Sequence, residues 1–136
     1  MGGKAHLIFI VFMMAVFLAA CEVPDQPDLN LEGTSWQVSE IMGRSVNDDL
    51  DVSANFDNGT ISGNAPCNVY SADYTQDDDE LIIGIPIMTQ ILCEENIMEA
   101  ESAFTEALSL VSNFEIDGDN LLLFDETGKT VLLLER

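Results

Sequence analysis

Short apolar stretches, each ended by a turn sequence, follow one another along most of the chain. The stretch that contains Trp36 and Val38 alternates apolar with polar residues, as a half-buried β-strand does. Residues 52–56 and 60–62 flank Asp57-Asn58-Gly59, and an Asn-Gly pair readily adopts the positive φ angles that a tight hairpin needs. The sequence therefore predicts successive hairpins of antiparallel strands.

The remaining predicted strands have the same form. They cover residues 69–74, 81–85, 113–116, 121–124 and 130–134. The runs LLLF in 121–124 and VLLL within 130–134 are apolar at consecutive positions, so both faces of these strands should be covered. Closure of the sheet, or a helix packed over it, would provide that cover.

One segment has a helical pattern instead. Apolar residues recur every three or four positions near residues 94–111, which predicts an amphipathic helix whose apolar stripe packs on the core rather than forming a groove for a partner. Asn96 and Glu99 resemble a capping box at its start. About seven to eight strands in hairpin order with one helix predict a mainly β fold, a small antiparallel β-barrel-like domain with one packed α-helix.

The amino-terminal residues predict a lipoprotein signal peptide. An apolar run over residues 7–18 ends in Leu-Ala-Ala-Cys, which is typical of a lipobox. As a helix the run would be roughly 18 Å long, well short of the ~30 Å hydrocarbon layer, so it is poorly suited to remain as a span. We therefore expect residues 1–20 to be removed. The two alternatives, an uncleaved anchor and an ordinary signal peptide followed by a chance cysteine, fit this pattern less well.

Cys21 would then be the lipid attachment site and the contact with a membrane. Residues 21–28 contain two prolines and little to bury, so they predict an extended, lipidated tether that leads into one domain at 29–136. Glu22, rather than an aspartate, follows the cysteine, which favours the outer membrane over the inner one. The predicted location is the cell envelope, on its periplasmic or surface face.

Removal of the leader makes the chain still more acidic than its net charge of −21. The leader contains Lys4 and the single histidine, His6, so three basic residues remain against 25 acids, a side-chain balance of −22. Such a chain repels phosphate backbones, which excludes nucleic acid as a partner. The acids are spread along the chain, a pattern that favours solubility in a saline medium over recruitment of a partner.

The cysteine count predicts a disulfide. If Cys21 is lipidated, Cys67 and Cys93 remain as a pair in an exported chain, and a bond between them would close a loop of 26 residues. A redox pair would need the C-x-x-C spacing, which these residues lack.

The chain that remains after removal of the leader lacks residues that most catalytic mechanisms require. Without histidine or a free thiol, only carboxyl groups are left for catalysis. Asp77-Asp78-Asp79 and the Asp117 turn lack the rest of an EF-hand loop, so they predict solvated turns, and we expect no metal and no cofactor.

Five stretches resemble, in order, the motifs of the META domain (HslJ-like) family. The central one, Ser62 to Tyr74, resembles the signature S-G-x-x-x-C-N-x-(F/Y)-x-x-x-Y. The others are Leu31–Trp36 (L-x-G-T-x-W), Thr89–Cys93 (T-x-x-x-C), Glu101–Leu108 (E-x-x-(F/Y)-x-x-A-L) and the region of Leu121 and Leu123 (G-x-x-L-x-L). The chain departs from the pattern at Ala65-Pro66, where relatives often have glycine.

The resemblance implies a small antiparallel barrel with one helix, and cysteines where many relatives have theirs. It also implies a link with the bacterial envelope and with heat or antibiotic stress, without an agreed biochemical activity. The function that we expect is thus a non-catalytic envelope lipoprotein, a binding or stress-tolerance module. The alternative is a carboxylate-dependent hydrolase that acts on envelope glycans, which two acids with opposed pKa shifts in one pocket would favour.

The candidate contact region of the binding module is the loop from Asn64 to Asn68, together with the barrel mouth. Tyr70 and Tyr74 would contribute if they are exposed, although both fit a core position better. The ligand would be an envelope protein or a small molecule.

Overall fold

The structure is a computed structural model that describes residues 29–136. The predictions for the signal peptide, the lipid on Cys21 and the tether lie outside the described residues. The elements are, in chain order, β1 (Thr34–Ile41), β2 (Arg44–Ser45), β3 (Ser53–Asp57), β4 (Thr60–Asn64), β5 (Val69–Asp77), β6 (Glu80–Ile83), β7 (Ile87–Met88), α1 (Glu95–Leu110), β8 (Asn113–Asp117), β9 (Asn120–Phe124) and β10 (Thr130–Glu135).

The longer strands close into a ring. Their order is β1-β3-β4-β5-β6-β8-β9-β10, every neighbouring pair is antiparallel, and β10 pairs back with β1. The short strands β2 and β7 add to β1 and β5. β6 and β8 have a single pair in register, Glu80 and Asn113, with backbone hydrogen bonds from Leu81 to Ser112 (3.0 Å) and from Phe114 to Asp79 (2.9 Å) beside it. The predicted mainly β fold with one helix packed against the sheet is confirmed.

The hairpin at Asn58-Gly59 has the backbone geometry that the sequence predicts. The φ angles are 52° at Asn58 and 72° at Gly59, and Asp57 pairs with Thr60 across the turn. Positive φ at both central residues matches the twist of the two strands that the turn joins.

Side chains fill the interior of the ring. Alternate residues of β1 point inward, so Trp36 and Val38 are buried, and Phe104 enters from α1 with its ring 5.1 Å from that of Tyr70. The register shifts between Thr130 and Leu132 on β10, next to two consecutive buried residues. Other interior side chains are Leu31, Val52, Phe56, Ile61, Leu81, Leu121, Leu123 and Leu134.

The helix begins earlier than a capping box at Asn96 would require, so that prediction is wrong. Glu94 is the N-cap, without a side-chain capping bond, and its backbone oxygen accepts hydrogen bonds from the N–H groups of Ile97 and Met98, both at 3.0 Å. Asn96 therefore lies within the first turn. In the described part of the chain, no helix is long and apolar enough to cross a membrane.

Candidate functional site

The carboxyl group of Glu101 holds the loop between β4 and β5 against the helix. Its Oε2 atom accepts hydrogen bonds from the backbone N–H groups of Cys67 (2.8 Å) and Asn68 (2.6 Å). Its Oε1 atom accepts one from Nδ2 of Asn68 at 2.7 Å. Glu101 is buried because it lies on the same face of α1 as Phe104. Both oxygens are therefore occupied by the fold.

Asn68 extends this connection to the segment before the helix. Its Oδ1 atom accepts hydrogen bonds from the Thr89 hydroxyl (2.8 Å) and the Ile91 N–H (2.7 Å), and its Nδ2 atom donates to the Ile91 carbonyl at 3.3 Å. The Asn68 side chain is buried, and a buried amide of this kind is stable only when its polar atoms are paired. Asn68 therefore joins two loops and the helix.

The disulfide lies in the same region. Cys67 and Cys93 are bonded, with their Cα atoms 6.0 Å apart, so the predicted pairing is present. The bond connects the loop after β4 with the residue that precedes the N-cap of α1. We call Cys67, Asn68, Thr89, Cys93 and Glu101 the loop brace.

The four predicted contact residues take up different positions. Asn64 is half-buried, and its Nδ2 atom donates to Asp51 at 2.9 Å, while Asn68 belongs to the brace. Tyr70 and Tyr74 lie in the core rather than on an exposed loop. Burial raises the pKa of Tyr70. Of the four, Asn64 keeps the most contact with solvent.

Tyr74 and Glu32 form a polar contact at the rim of the barrel. The Tyr74 hydroxyl donates to Oε2 of Glu32 at 2.7 Å, and the N–H groups of Asn58 and Gly59 also donate to this carboxylate. The pKa of Glu32 is lowered mainly by the hydrogen bond from Tyr74 and in second place by the one from Asn58. The pKa of Tyr74 is raised to about 12, mainly by burial and in second place by the bond to Glu32.

The pKa of Asp125 is also lowered by hydrogen bonds from neighbouring residues. The Thr127 hydroxyl and then the Lys129 N–H donate to it within its own turn. The pKa values of Asp125 and Glu32 thus move in the same direction, and each carboxylate is held by its neighbouring turn. Among residues 29–136, no three His, Cys, Asp or Glu side chains are grouped closely enough to hold a metal ion.

A row of exposed apolar side chains was missed in the sequence. Ile85, Leu92 and Ile87 have 94%, 88% and 82% of their surface exposed. We define the apolar ridge as Val69, Ile82, Ile85, Ile87, Ile91 and Leu92. The only sequence signal was the isoleucine-rich run itself, whose first part predicts a strand over residues 81–85 without indicating which side chains are exposed.

The ridge follows the outer side of β5. Ile87 is paired with Ser71 in register, which places Val69 diagonally beside Ile87 on the same outward face. Gly84 donates its N–H to the Asp73 carbonyl at 2.8 Å, so β6 and β7 lie end to end along β5, with one extra residue between them. Such a bulge redirects side chains, and Ile85 and Pro86 occupy it.

Two clefts lie beside α1. The first, of about 380 Å³, is between the start of α1 and residues 41–50, and Pro66 also contributes to its wall. The second, of about 670 Å³, is between residues 83–86 and another face of the helix, next to the ridge. Both clefts are open to the surface, whereas the barrel interior is packed.

These features define a class of small, closed antiparallel β-barrels that one helix covers and a disulfide-linked loop stabilises. The META domain model matches residues 29–136, and the chain belongs to this family. The match covers the whole described part of the chain.

Solved structures of similar fold share little sequence with the chain. An NMR structure of a protein from Burkholderia xenovorans has 22% identity and a TM-score of 0.65, over 84% of this chain and 98% of that one. The crystal structure of a DUF4847 family protein from Bacteroides vulgatus has 18% identity and a TM-score of 0.57, over 76% and 92%. At these identities the likeness shows the fold alone. No curated protein matches the chain.

Proposed function

We propose that the chain is a non-catalytic envelope lipoprotein, anchored by lipid on Cys21, whose domain binds a partner protein through the apolar ridge. The observation that carries this proposal is the ridge itself, six large exposed apolar side chains in an otherwise acidic domain, of which Ile82 and Ile87 pair with outward-facing residues of β5. Contiguous exposed apolar surface on a small domain is typical of an interaction site.

The placement of the polar side chains supports binding rather than catalysis. A hydrolase of the carboxylate type needs an acid that is free to reach its substrate. Both oxygens of Glu101 accept hydrogen bonds from the loop brace, and the carboxylate of Glu32 accepts bonds from Tyr74 and the neighbouring turn. Nothing in the described residues favours the glycan hydrolase.

The charge of the domain indicates what kind of partner would bind. With a side-chain balance of −22 after loss of the leader, two copies would repel each other, and so would an anionic lipid surface. Two exposed acids, Glu80 and Glu94, lie two residues from the ridge residues Ile82 and Leu92. The complementary surface is a protein with an apolar centre and a basic rim.

Site-specific photo-crosslinking of the full-length, lipidated chain in its native envelope tests this binding. A photoreactive residue at Ile85 or at Ile87 should give an adduct of the same mass with one protein. Glu126, exposed in the turn between β9 and β10, is the matched control position and should give none. Adducts with a second copy of the chain or with lipid, or no adduct at either ridge position, would overturn the proposal.

The anchor needs a separate measurement. Mass spectrometry of the protein extracted from membranes should find an amino-terminal peptide that begins at Cys21 and has the mass of a lipid-modified cysteine. Cys21→Ser should abolish the modification and release the domain from the membrane fraction. An intact amino terminus at Met1 in the wild-type membrane fraction would contradict the predicted processing.

A further inference from the structure

The first cleft beside α1 is a second surface feature, distinct from the ridge. We call it the helix-start cleft. It has a volume of about 380 Å³, which is within the range of small-molecule sites. Its apolar lining includes Ile41, Val46, Leu50, Ile97, Ala100 and Ala103, in addition to Pro66.

The apolar lining is only partly used by the core. Ile41 is buried, but Val46, Leu50, Ile97 and Ala100 are half-buried, so part of their apolar surface faces the cleft. A ligand with an alkyl or aryl body would remove this surface from water. Each methylene that enters such a site contributes roughly 0.8 kcal/mol before the cost of ordering the ligand.

Four exposed charged side chains also line the cleft. Asp49, Glu94 and Glu99 line it together with a single base, Arg44, and all four side chains are exposed. Three acids against one base leave an excess negative charge, and the acidic domain around them adds to it. The positive end of the α1 dipole offsets about half a charge, which is less than this excess.

We propose that the helix-start cleft binds hydrophobic cations, that is, small molecules with an apolar body and an ammonium or guanidinium group. The apolar body would lie against Ile97 and Ala100, and the cationic group would lie at the opening near Glu94 and Glu99. This site is independent of the ridge and of the lipid anchor. A negative result here would therefore leave the proposed function unaffected.

Three probes with one alkyl chain and different charge test the proposal. Octylamine, 1-octanol and octanoate are titrated into residues 21–136 with Cys21→Ser, which is the expected mature chain without its lipid. Amide chemical shifts should change at Ile97 and Ala100, with octylamine binding about tenfold more tightly than octanoate because of the charge at the opening. Equal or tighter binding of octanoate, or shifts confined to other surfaces, would overturn the assignment.

Two variants separate the apolar and the charged contributions. Ala100→Trp would fill the cleft and should abolish binding of both octylamine and octanol. Glu94→Gln combined with Glu99→Gln should weaken octylamine about tenfold and leave octanol unchanged, because the volume of the cleft is kept. Glu106→Gln, on another face of α1, is the control and should change neither affinity. Unchanged octylamine affinity in the double variant would refute the role of the carboxylates.

Discussion

At the scale of single residues, Glu101 is a buried acid whose position is explained by the fold. It accepts hydrogen bonds from three N–H donors of the loop between β4 and β5. Glu101→Ala would leave those donors without a partner, and we expect a loss of about 3–5 kcal/mol in the free energy of unfolding, measured by urea denaturation. Glu101→Gln keeps one acceptor oxygen, so its loss should be smaller, about 1–2 kcal/mol.

Glu106→Gln is the matched control for this series. Glu106 is exposed on the same helix, so the substitution should change the free energy of unfolding by less than about 0.5 kcal/mol. Equal effects of Glu101→Ala and Glu106→Gln would show that the brace does not hold the loop.

Gly63 is fixed by the close approach of two strands. A Cβ atom at this position would lie 2.3 Å from the backbone oxygen of Ser53, whereas one at Gly84 would lie 3.3 Å from that of Asp73. Gly63→Ala should therefore cost about 3 kcal/mol or more, because backbone must move, and Gly84→Ala should cost much less. Thermal denaturation of both variants checks this order, and equal melting temperatures would contradict it.

The two tyrosines of the chain, Tyr70 and Tyr74, make its stability sensitive to alkaline pH. Both folded-state pKa values are raised, that of Tyr74 to about 12. Because the pKa is raised in the folded state, each buried tyrosine contributes its full share of stability below the pKa of the unfolded chain, about 10. This contribution is lost as the pH rises toward 12. At about pH 10.5 tyrosinate absorbance should be low in the folded protein and should increase on addition of urea. Equal absorbance in both states would contradict the burial of these rings.

At the scale of elements, the disulfide connects the β4–β5 loop with the start of α1. It closes a loop of 26 residues, and loss of this constraint in Cys67→Ser with Cys93→Ser should lower the free energy of unfolding by about 3–4 kcal/mol. Urea denaturation with and without reductant gives the measurement. An unchanged midpoint in the wild type after reduction would mean that the bond does not contribute to stability.

The strands were the part of the fold that the sequence predicted best. Alternation identified β1, and Asn58-Gly59 identified the hairpin between β3 and β4, because both signals depend on neighbouring residues alone. The sequence also predicted a barrel-like sheet with a packed helix, but not which strands meet where the barrel closes. The pairing of β10 with β1 joins distant parts of the chain, which local patterns do not specify.

Three features depend on tertiary contacts and were missed or only partly predicted. The two-residue strands β2 and β7 exist because a longer strand lies beside them. The sequence favours core positions for Tyr70 and Tyr74 over contact with a ligand, but the aromatic rings that they pack against, Phe104 and Phe56, come from other elements. Ile85 and Ile87 lie in a strongly β-forming stretch. Whether their side chains are exposed depends on which face of the sheet they point to, and the bulge at Pro86 sets that face.

At the scale of the whole molecule, the motifs that the chain shares with the META domain family explain the architecture rather than a reaction. Cys67, Asn68, Thr89, Cys93 and Glu101 all belong to motifs of the resemblance, and together they form the loop brace. The surface left for function is therefore outside the barrel. The ridge and the helix-start cleft are both on that outer surface, and no residue belongs to both.

The ridge also explains how so acidic a chain could have a protein partner. Long-range repulsion disfavours association with acidic surfaces, while the apolar side chains supply affinity once a basic surface is close. The lipid that we propose on Cys21 would keep the domain at a membrane without any contact between the acidic surface and anionic headgroups.

The most direct test of the ridge is the crosslinking yield at Ile87 in a chain that also has Ile85→Ser and Leu92→Ser. Both side chains are exposed, so the unfolding midpoint should stay within error of the wild type. The yield of the partner adduct should fall about tenfold, as expected when interface side chains are truncated. An unchanged yield in this folded variant would contradict the claim that the domain binds its partner through the apolar ridge.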